Sequence, residues 1–441
     1  MALRLRASWQ VVIGAVLCLA SLSAWGQEDT WLDVSRAGLQ AADEGRLASA
    51  EALFRDAMEL SEPFGDADPR RATSVNNLAY ILHVRGAYAA AEPHYLEALA
   101  MRERVLGADH PDVAQSCNNL AELYRVMGRA DEAEALHRRA IQIREARFGD
   151  NHPELAQSLN NLGVLYAHRG RNGEALPLYL QALQIRIASF GEHHPTTAET
   201  RTNLAALYHA EKSYDEALAL YQEVLEVEQE TLDPGHPALA TTLSNLAEMH
   251  RVQGQLGRAV DLHQQALEIR EESLGPDHPD TAQSLNNLAV SYFETGRYDR
   301  AETLYRRSIA IKESVLGPEH PELALTLHNL AELYRVQTRF DEALPLFTRA
   351  LAIDQSHLGD DHPKVALDMN NLALLHYDRG AYVEALSILQ RALAIGEQAF
   401  GDGHPDLINT IENNAVVLRV LRRHEEAAQL EERAGRLRAA L

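Results

Sequence analysis

Three sets of residues recur in this 441-residue chain in one frame, and each could do chemistry. Histidine precedes proline at His110-Pro111, His152-Pro153, His194-Pro195, His236-Pro237, His278-Pro279, His320-Pro321, His362-Pro363 and His404-Pro405, at steps of 42 residues. Asparagine recurs in the same frame at Asn77, Asn119, Asn161, Asn203, Asn245, Asn287, Asn329, Asn371 and Asn413. Glutamate and arginine pair three residues apart at Glu122/Arg125, Glu248/Arg251 and Glu332/Arg335, and Arg419 extends that series. Imidazoles suggest a metal, amides a hydrogen-bonding clamp, and guanidinium groups a receptor for carboxylates.

The metal reading fails on distance. Stacked helical pairs advance about 10 Å per step, whereas a zinc–imidazole bond is about 2 Å. Successive histidines therefore cannot share an ion. His193-His194 is an isolated adjacent pair with no carboxylate or thiol at ligand spacing. Histidine before proline reads instead as the start of a helix. No metal or other cofactor is expected. The chain also lacks G-x-S-x-G, a phosphate loop, H-E-x-x-H and C-x-x-C, so no catalytic constellation and no enzyme activity is expected.

The amides are the better lead. An amide donates and accepts at once, so a row of them could hold the backbone of an extended peptide without reading its side chains. A row of asparagines could equally bond the helix of the adjacent repeat and hold the stack together. The two roles are compatible. Arg125, Arg251 and Arg335 could receive a partner's carboxylate, or could form ordinary i,i+3 pairs on a solvated helix. Tyr80, Phe293 and Tyr377 fall on the same face and could form apolar sockets.

A fixed period of 42 residues means stacked supersecondary units. Within one unit, Cys117, Leu120, Ala121 and Tyr124 share one face of a helix at about 100° per residue. Asn119, with Gln115, Glu122 and Val126, is expected on the opposite face. Pro111 suits the first helical position, and Asp112 suits the positive end of the helix dipole. Gly128 ends this helix. Asp131 opens a second, with Ala133, Leu136, Ala140 and Ile143 on its apolar side, and Gly149 closes it. Each hairpin has two apolar faces, one for itself and one for its neighbour, so stacking buries the core.

Cys117-x-x-Leu120-Ala121-x-x-Tyr124, followed by Ala133 and Ala140, resembles the tetratricopeptide repeat. The 42-residue length, the His-Pro start and the Asn-Asn-Leu-Ala run look like the kinesin light chain subclass. The resemblance implies an all-α fold, a right-handed α-solenoid (superhelix) of about ten helical hairpins. It also implies a concave wall of first helices that holds peptides of partner proteins, with the asparagine row on the peptide backbone. The family's motor-adaptor role is not expected, because a different segment occupies the N-terminal end.

That segment, residues 1–26, reads as a signal peptide. Arg4 and Arg6 precede a ten-residue apolar run, Val11 to Ala20, which is too short to span a bilayer. Ala24-Trp25-Gly26 offers small residues for cleavage before Gln27. The alternative is an uncleaved N-terminal membrane anchor. Residues 27–441 form the solenoid: a degenerate capping repeat over 27–68, regular repeats over 69–403, and a C-terminal cap over 404–441. Cleavage would leave Cys117 as the one cysteine, expected as a buried thiol without a disulfide.

The net charge of -23 argues against nucleic acid or an anionic membrane surface as partner. The expected role is a periplasmic or secreted protein-interaction scaffold that binds an extended peptide, with no membrane insertion after cleavage. The alternative is a structural scaffold that self-associates end to end. Intact-mass analysis of protein from its native host should give a chain beginning near Gln27. A mass that retains Met1 to Gly26 would instead mark the anchor.

Overall fold

The computed structural model describes residues 25–439, so the expected signal peptide lies almost wholly outside the described residues. The described chain is all helical hairpins, in two compact units that divide after Thr231. The first unit contains α1 (Trp25–Asp43), α2 (Leu47–Ser61), α3 (Pro69–Val84), α4 (Tyr88–Leu106), α5 (Pro111–Val126), α6 (Ala130–Phe148), α7 (Pro153–His168), α8 (Asn172–Phe190), α9 (Pro195–Ala210) and α10 (Tyr214–Thr231). The second contains α11 (Pro237–Val252), α12 (Leu256–Leu274), α13 (Pro279–Glu294), α14 (Tyr298–Leu316), α15 (Pro321–Val336), α16 (Phe340–Leu358), α17 (Pro363–Asp378), α18 (Tyr382–Phe400), α19 (Ile408–Val420) and α20 (His424–Ala439). Odd-numbered helices are the first of each hairpin and even-numbered ones the second. Among the described residues no helix is long and apolar enough to cross a membrane.

Local chemistry sets the helix ends. At each His-Pro step the ring Nδ1 accepts the backbone N–H two residues on, at 3.1 Å from Asp112 and 3.3 Å from Glu154, and likewise at the other six. These histidines are helix caps, and the following proline lacks an N–H that would need one. Asp68 does the same for α3, accepting from the Arg70 N–H at 2.9 Å. The hairpin turn needs a left-handed residue, supplied by Gly128 at φ 76°. Lys212, Thr338 and Arg422 take that place in three hairpins at φ near 60°, strained for residues with a Cβ. At the division between units Asp233 stands where the other regular repeats carry glycine, and α10 has 18 residues against the usual 19.

Small residues let the helices of a hairpin cross closely: Ala133, Ala217 and Ala301 are all fully buried. The facing ring of the second helix fills the space, with Tyr95, Tyr179 and Tyr221 enclosed. Cys117 lies in this core as a free thiol, pushed up to about 11 by burial.

A second row, unexpected from the sequence, joins one hairpin to the next. Arg144 of α6 is 1% exposed. Its Nη1 donates to the Glu154 carbonyl and to Ser158 Oγ of α7, both at 2.8 Å. Its Nη2 donates back to Gln115 Oε1 of α5 at 3.0 Å. Arg102, Arg186, Arg270 and Lys312 make the equivalent bond, each to a Ser or Thr 14 residues on: Ser116, Thr200, Ser284 and Thr326. Each buried cation thus docks the next first helix in one register.

Between α16 and α17 that row carries the opposite charge. Asp354 replaces the cation and Asp368 replaces the hydroxyl, and both are buried. Lys364 donates to Asp354 Oδ1 at 2.8 Å, while Oδ2 of each aspartate has no hydrogen-bond partner. Burial, then hydrogen bonding to Asp354 and its charge, push the Asp368 carboxyl up to about 7. The folded chain therefore keeps this proton above about pH 4, where the unfolded chain loses it. Stability from this site falls as pH rises from about 4 to about 7 and is level beyond. The gain in thermal midpoint from Asp368→Asn should grow across that window and then stay constant. A gain independent of pH would contradict the assignment.

Candidate peptide-binding row on the first helices

The asparagines sit where consecutive first helices meet. Asn119 Nδ2 donates to Asn76 Oδ1 of the preceding first helix at 3.0 Å. Asn203 donates to Asn160 at 3.1 Å, Asn329 to Asn286 at 3.1 Å, and Asn413 to Asn370 at 2.9 Å. Asn371 meets His328 Nε2 at 3.4 Å. The separation is 43 residues each time, one repeat plus one. Of the two roles open from the sequence, bonding between repeats is present in the structure.

The expected exposed face is therefore largely closed. Asn77, Asn161, Asn203, Asn245 and Asn287 are buried, Asn203 completely. Asn119, Asn329, Asn371 and Asn413 are half-buried. Glu122, expected on the same open face, is also buried. The physical reason is that a first helix packs on its hairpin partner and also on the first helices before and after it. The side opposite the core stripe becomes a second contact surface.

The amides remain oriented hydrogen-bonding groups. Asn119 Oδ1 accepts from Gln115 Nε2 at 2.9 Å, and Asn287 Oδ1 accepts from Gln283 Nε2 at 2.9 Å. With Oδ1 and one N–H engaged, Asn119 keeps one N–H for another partner.

Of the paired glutamates Glu122 and Glu248 are buried, while Glu332 and the three arginines are half-buried. Arg125 grips Glu122 through Nε at 2.9 and 2.8 Å and through Nη2. Arg251 holds Glu248 at 2.8 and 2.7 Å and, on its other edge, Glu294 of the next first helix at 2.5 Å. Arg335 holds Glu332 at 2.8 Å by two bonds and Asp378 of the next first helix on its other edge. Two carboxylates close each of these forks. The residue equivalent to Glu294 and Asp378 beside Arg125 is His168, so the outer edge of Arg125 stays open. Arg419 turns away from the series to Glu431 of its own hairpin at 2.5 Å.

The Arg125 surroundings hold neutral imidazoles. Burial, then the Arg125 charge, push His83 down to about 4 and His137 down to about 3, and lower His168 as well. His137 bonds Asn118 Oδ1 through Nδ1 at 2.9 Å. Tyr80, Phe293 and Tyr377 are half-buried, and the last two rest edgewise or tilted on Tyr298 and Tyr382. The fold also brings Glu230 to His193, with Nδ1 at 3.0 Å, a contact that sequence spacing did not show. Both groups are well exposed and the pair contributes little. Among the described residues no group of three or more histidine, cysteine, aspartate and glutamate side chains could hold a metal ion.

Removing the enclosed Asn203 amide strands the Asn160 oxygen in a buried contact. Asn203→Ala should cost about 1–3 kcal/mol. Because a repeat array loosens locally, amide hydrogen exchange should rise first in α7 and α9. Unchanged exchange in both helices would remove the stacking role.

Comparison with known proteins places this geometry in a family. A tetratricopeptide repeat model matches residues 112–188, 155–230, 196–272, 238–314, 291–356, 322–395 and 364–439, and a second tetratricopeptide repeat model matches 71–112. No curated protein matches the chain. Among solved structures, the chain is similar to BtubC (BKLC) of P. vanneervenii, at 25% identity over 53% of this chain and 92% of that one, with a TM-score of 0.45. It is similar to a putative kinesin light chain of Podosopora anserina with nearly identical repeats, at 28% identity over 46% of this chain and 97% of that one, with a TM-score of 0.42. A signal transduction ATPase from Pyrococcus horikoshii with a tetratricopeptide repeat sensor aligns over 82% of this chain and 52% of its own, at 13% identity and a TM-score of 0.56, a likeness of fold alone. With hairpins in one frame and repeat models matching from residue 71 to residue 439, this chain belongs to the tetratricopeptide repeat family.

Proposed function

We propose that this chain is a non-enzymatic, exported scaffold that binds an extended peptide segment of a partner protein along its first-helix row. The observation that carries the reading is the held amide of Asn119, with an N–H to give. Such a group meets a peptide carbonyl without first being ordered, which lowers the entropy lost on binding. Asn329, Asn371 and Asn413 are half-buried and each is held by a bond to the preceding first helix, so they have the same capacity. The buried members of the row, Asn77, Asn161, Asn203, Asn245 and Asn287, support the contact surface from beneath. The open edge of Arg125 suits a carboxylate on the peptide, whereas Arg251 and Arg335 would have to release one first.

End-to-end self-association has less support. Among the described residues, no large apolar side chain is exposed before Val84. Among the described residues of the C-terminal hairpin, Val416 and Val420 are the exposed side chains of this kind, both on its first helix. The polar outer helix α20 matches a cap that faces water.

Panning a random peptide library against the purified chain supplies a ligand for the test. Asn119→Ala with Arg125→Ala should weaken a peptide bound to the first unit at least tenfold, and Asn329→Ala with Asn371→Ala one bound to the second. The thermal midpoint should move little for these half-buried positions. If every selected peptide keeps its affinity for both double variants, binding lies elsewhere and the reading falls.

A further inference from the structure

Three junctions share a four-residue clip on the side of the second helices. The Tyr124 hydroxyl donates to Glu92 at 3.2 Å, and Arg129 bonds Glu92 and Glu132, both at 2.6 Å, while lying 3.8 Å over the tyrosine ring. Tyr166 repeats the arrangement with Glu134, Arg171 and Glu174, and Tyr334 with Glu302, Arg339 and Glu342. In each, one carboxylate reaches both a phenol and a guanidinium, a charge-assisted set in which every charged group is paired.

At Tyr292 the aromatic and the arginine are retained but both carboxylates are gone. Val260 stands in the place of Glu92, Glu134 and Glu302, and Arg300 in the place of Glu132, Glu174 and Glu342. Arg297, equivalent to Arg129, is exposed where its counterparts are half-buried. The Arg297 and Arg300 guanidinium carbons stand 5.7 and 5.6 Å from the Tyr292 ring. Neither has an ion-pair partner among the described residues, in a chain with a net charge of -23. At this place α12, α13 and α14 leave a cleft of about 590 Å³, with Leu267, Leu288 and Leu304 around Tyr292 and Arg300. Of the acidic groups on its rim, Glu271 is paired with Arg307 at 2.5 Å and Glu268 accepts from Gln264 at 3.2 Å, while Asp299 is exposed.

We infer that this cleft docks a glutamate or aspartate of a partner protein, whose carboxylate meets Arg300 and Tyr292, the phenol that the clip's own acid would otherwise engage. The Arg300 guanidinium receives the charge beside the phenol. The three leucines receive an apolar neighbour of the acid, so the occupant is an acidic peptide with flanking hydrophobic residues. The site lies apart from the asparagine row and does not depend on the peptide bound there.

The probe is the blocked pentapeptide Ser-Leu-Glu-Phe-Ser and its Ser-Leu-Gln-Phe-Ser counterpart, titrated calorimetrically into the full chain. The glutamate peptide should bind at least tenfold more tightly than the glutamine one. Val260→Glu with Arg300→Glu rebuilds the clip from within, so it should abolish binding while keeping or raising the thermal midpoint. Should the midpoint fall, Arg300→Ala at the exposed position provides the same test. Equal affinity for the two peptides, no binding of the glutamate peptide at millimolar concentration, or full affinity in the rebuilt or Arg300→Ala variant would overturn the assignment.

Discussion

A guanidinium taken out of water needs acceptors for its N–H groups, and the stack is arranged around that demand, with Arg144 Nε left only the Glu154 carboxylate at 3.4 Å. Arg144 reaches a carbonyl and a hydroxyl of α7 and an amide oxygen of α5. Burial lowers its affinity for the proton to about 10, which leaves it charged at neutral pH. The carbonyl it uses belongs to Glu154, whose N–H is bonded by the His152 cap. Capping and docking thus act on the same turn, so a first helix that starts one residue late would lose both. Buried charges of this kind add little net stability compared with an apolar replacement, and here their evident effect is register. The Asp354–Asp368 junction shows the same demand from the other side, with a lysine from outside and a retained proton supplying the missing positive charge.

The hairpins were legible because their signals are local. Proline after a cap, glycine after a run and an apolar stripe at helical spacing each act within a few residues. The face of the asparagine row was not. A stripe analysis of α5 finds one apolar side and takes the other as open, whereas Asn119 and Glu122 turn that other side toward neighbouring first helices. The cation row was missed for a related reason. An arginine such as Arg144 on an otherwise polar helix reads as solvated, and its partner Ser158 lies in the next repeat. A cue was present: a cation in the unit frame followed 14 residues later by Ser or Thr, broken together at Asp354 and Asp368.

Two faces of the repeat diversify differently. On the first helices the amides stay constant while the residue in the Arg125 place changes to His83, His209 or Phe293, so a common backbone contact is combined with varied neighbours. On the second helices three junctions carry the clip, and recognition would come from its absence at Tyr292. The first arrangement keeps binding groups and varies their surroundings. The second removes an internal partner and leaves its receptor exposed. Strained turns at Lys212, Thr338 and Arg422 show that the scaffold tolerates departures at the hairpin tips.

The bonds that join repeats recur at separations of 14, 32, 37 or 43 residues, so each links a repeat only to its immediate neighbour. Because these separations are the same at many junctions within a unit, excising a whole block of 42 residues would bring together side chains that already suit one another. Excising 41 would break the frame at the cut and misplace the bonds of the one junction that spans it. Such a chain can lengthen or shorten by unequal recombination between its own coding repeats without passing through an unfoldable intermediate. Its reach is therefore a heritable variable that can change in one genetic event, while its local architecture stays the same.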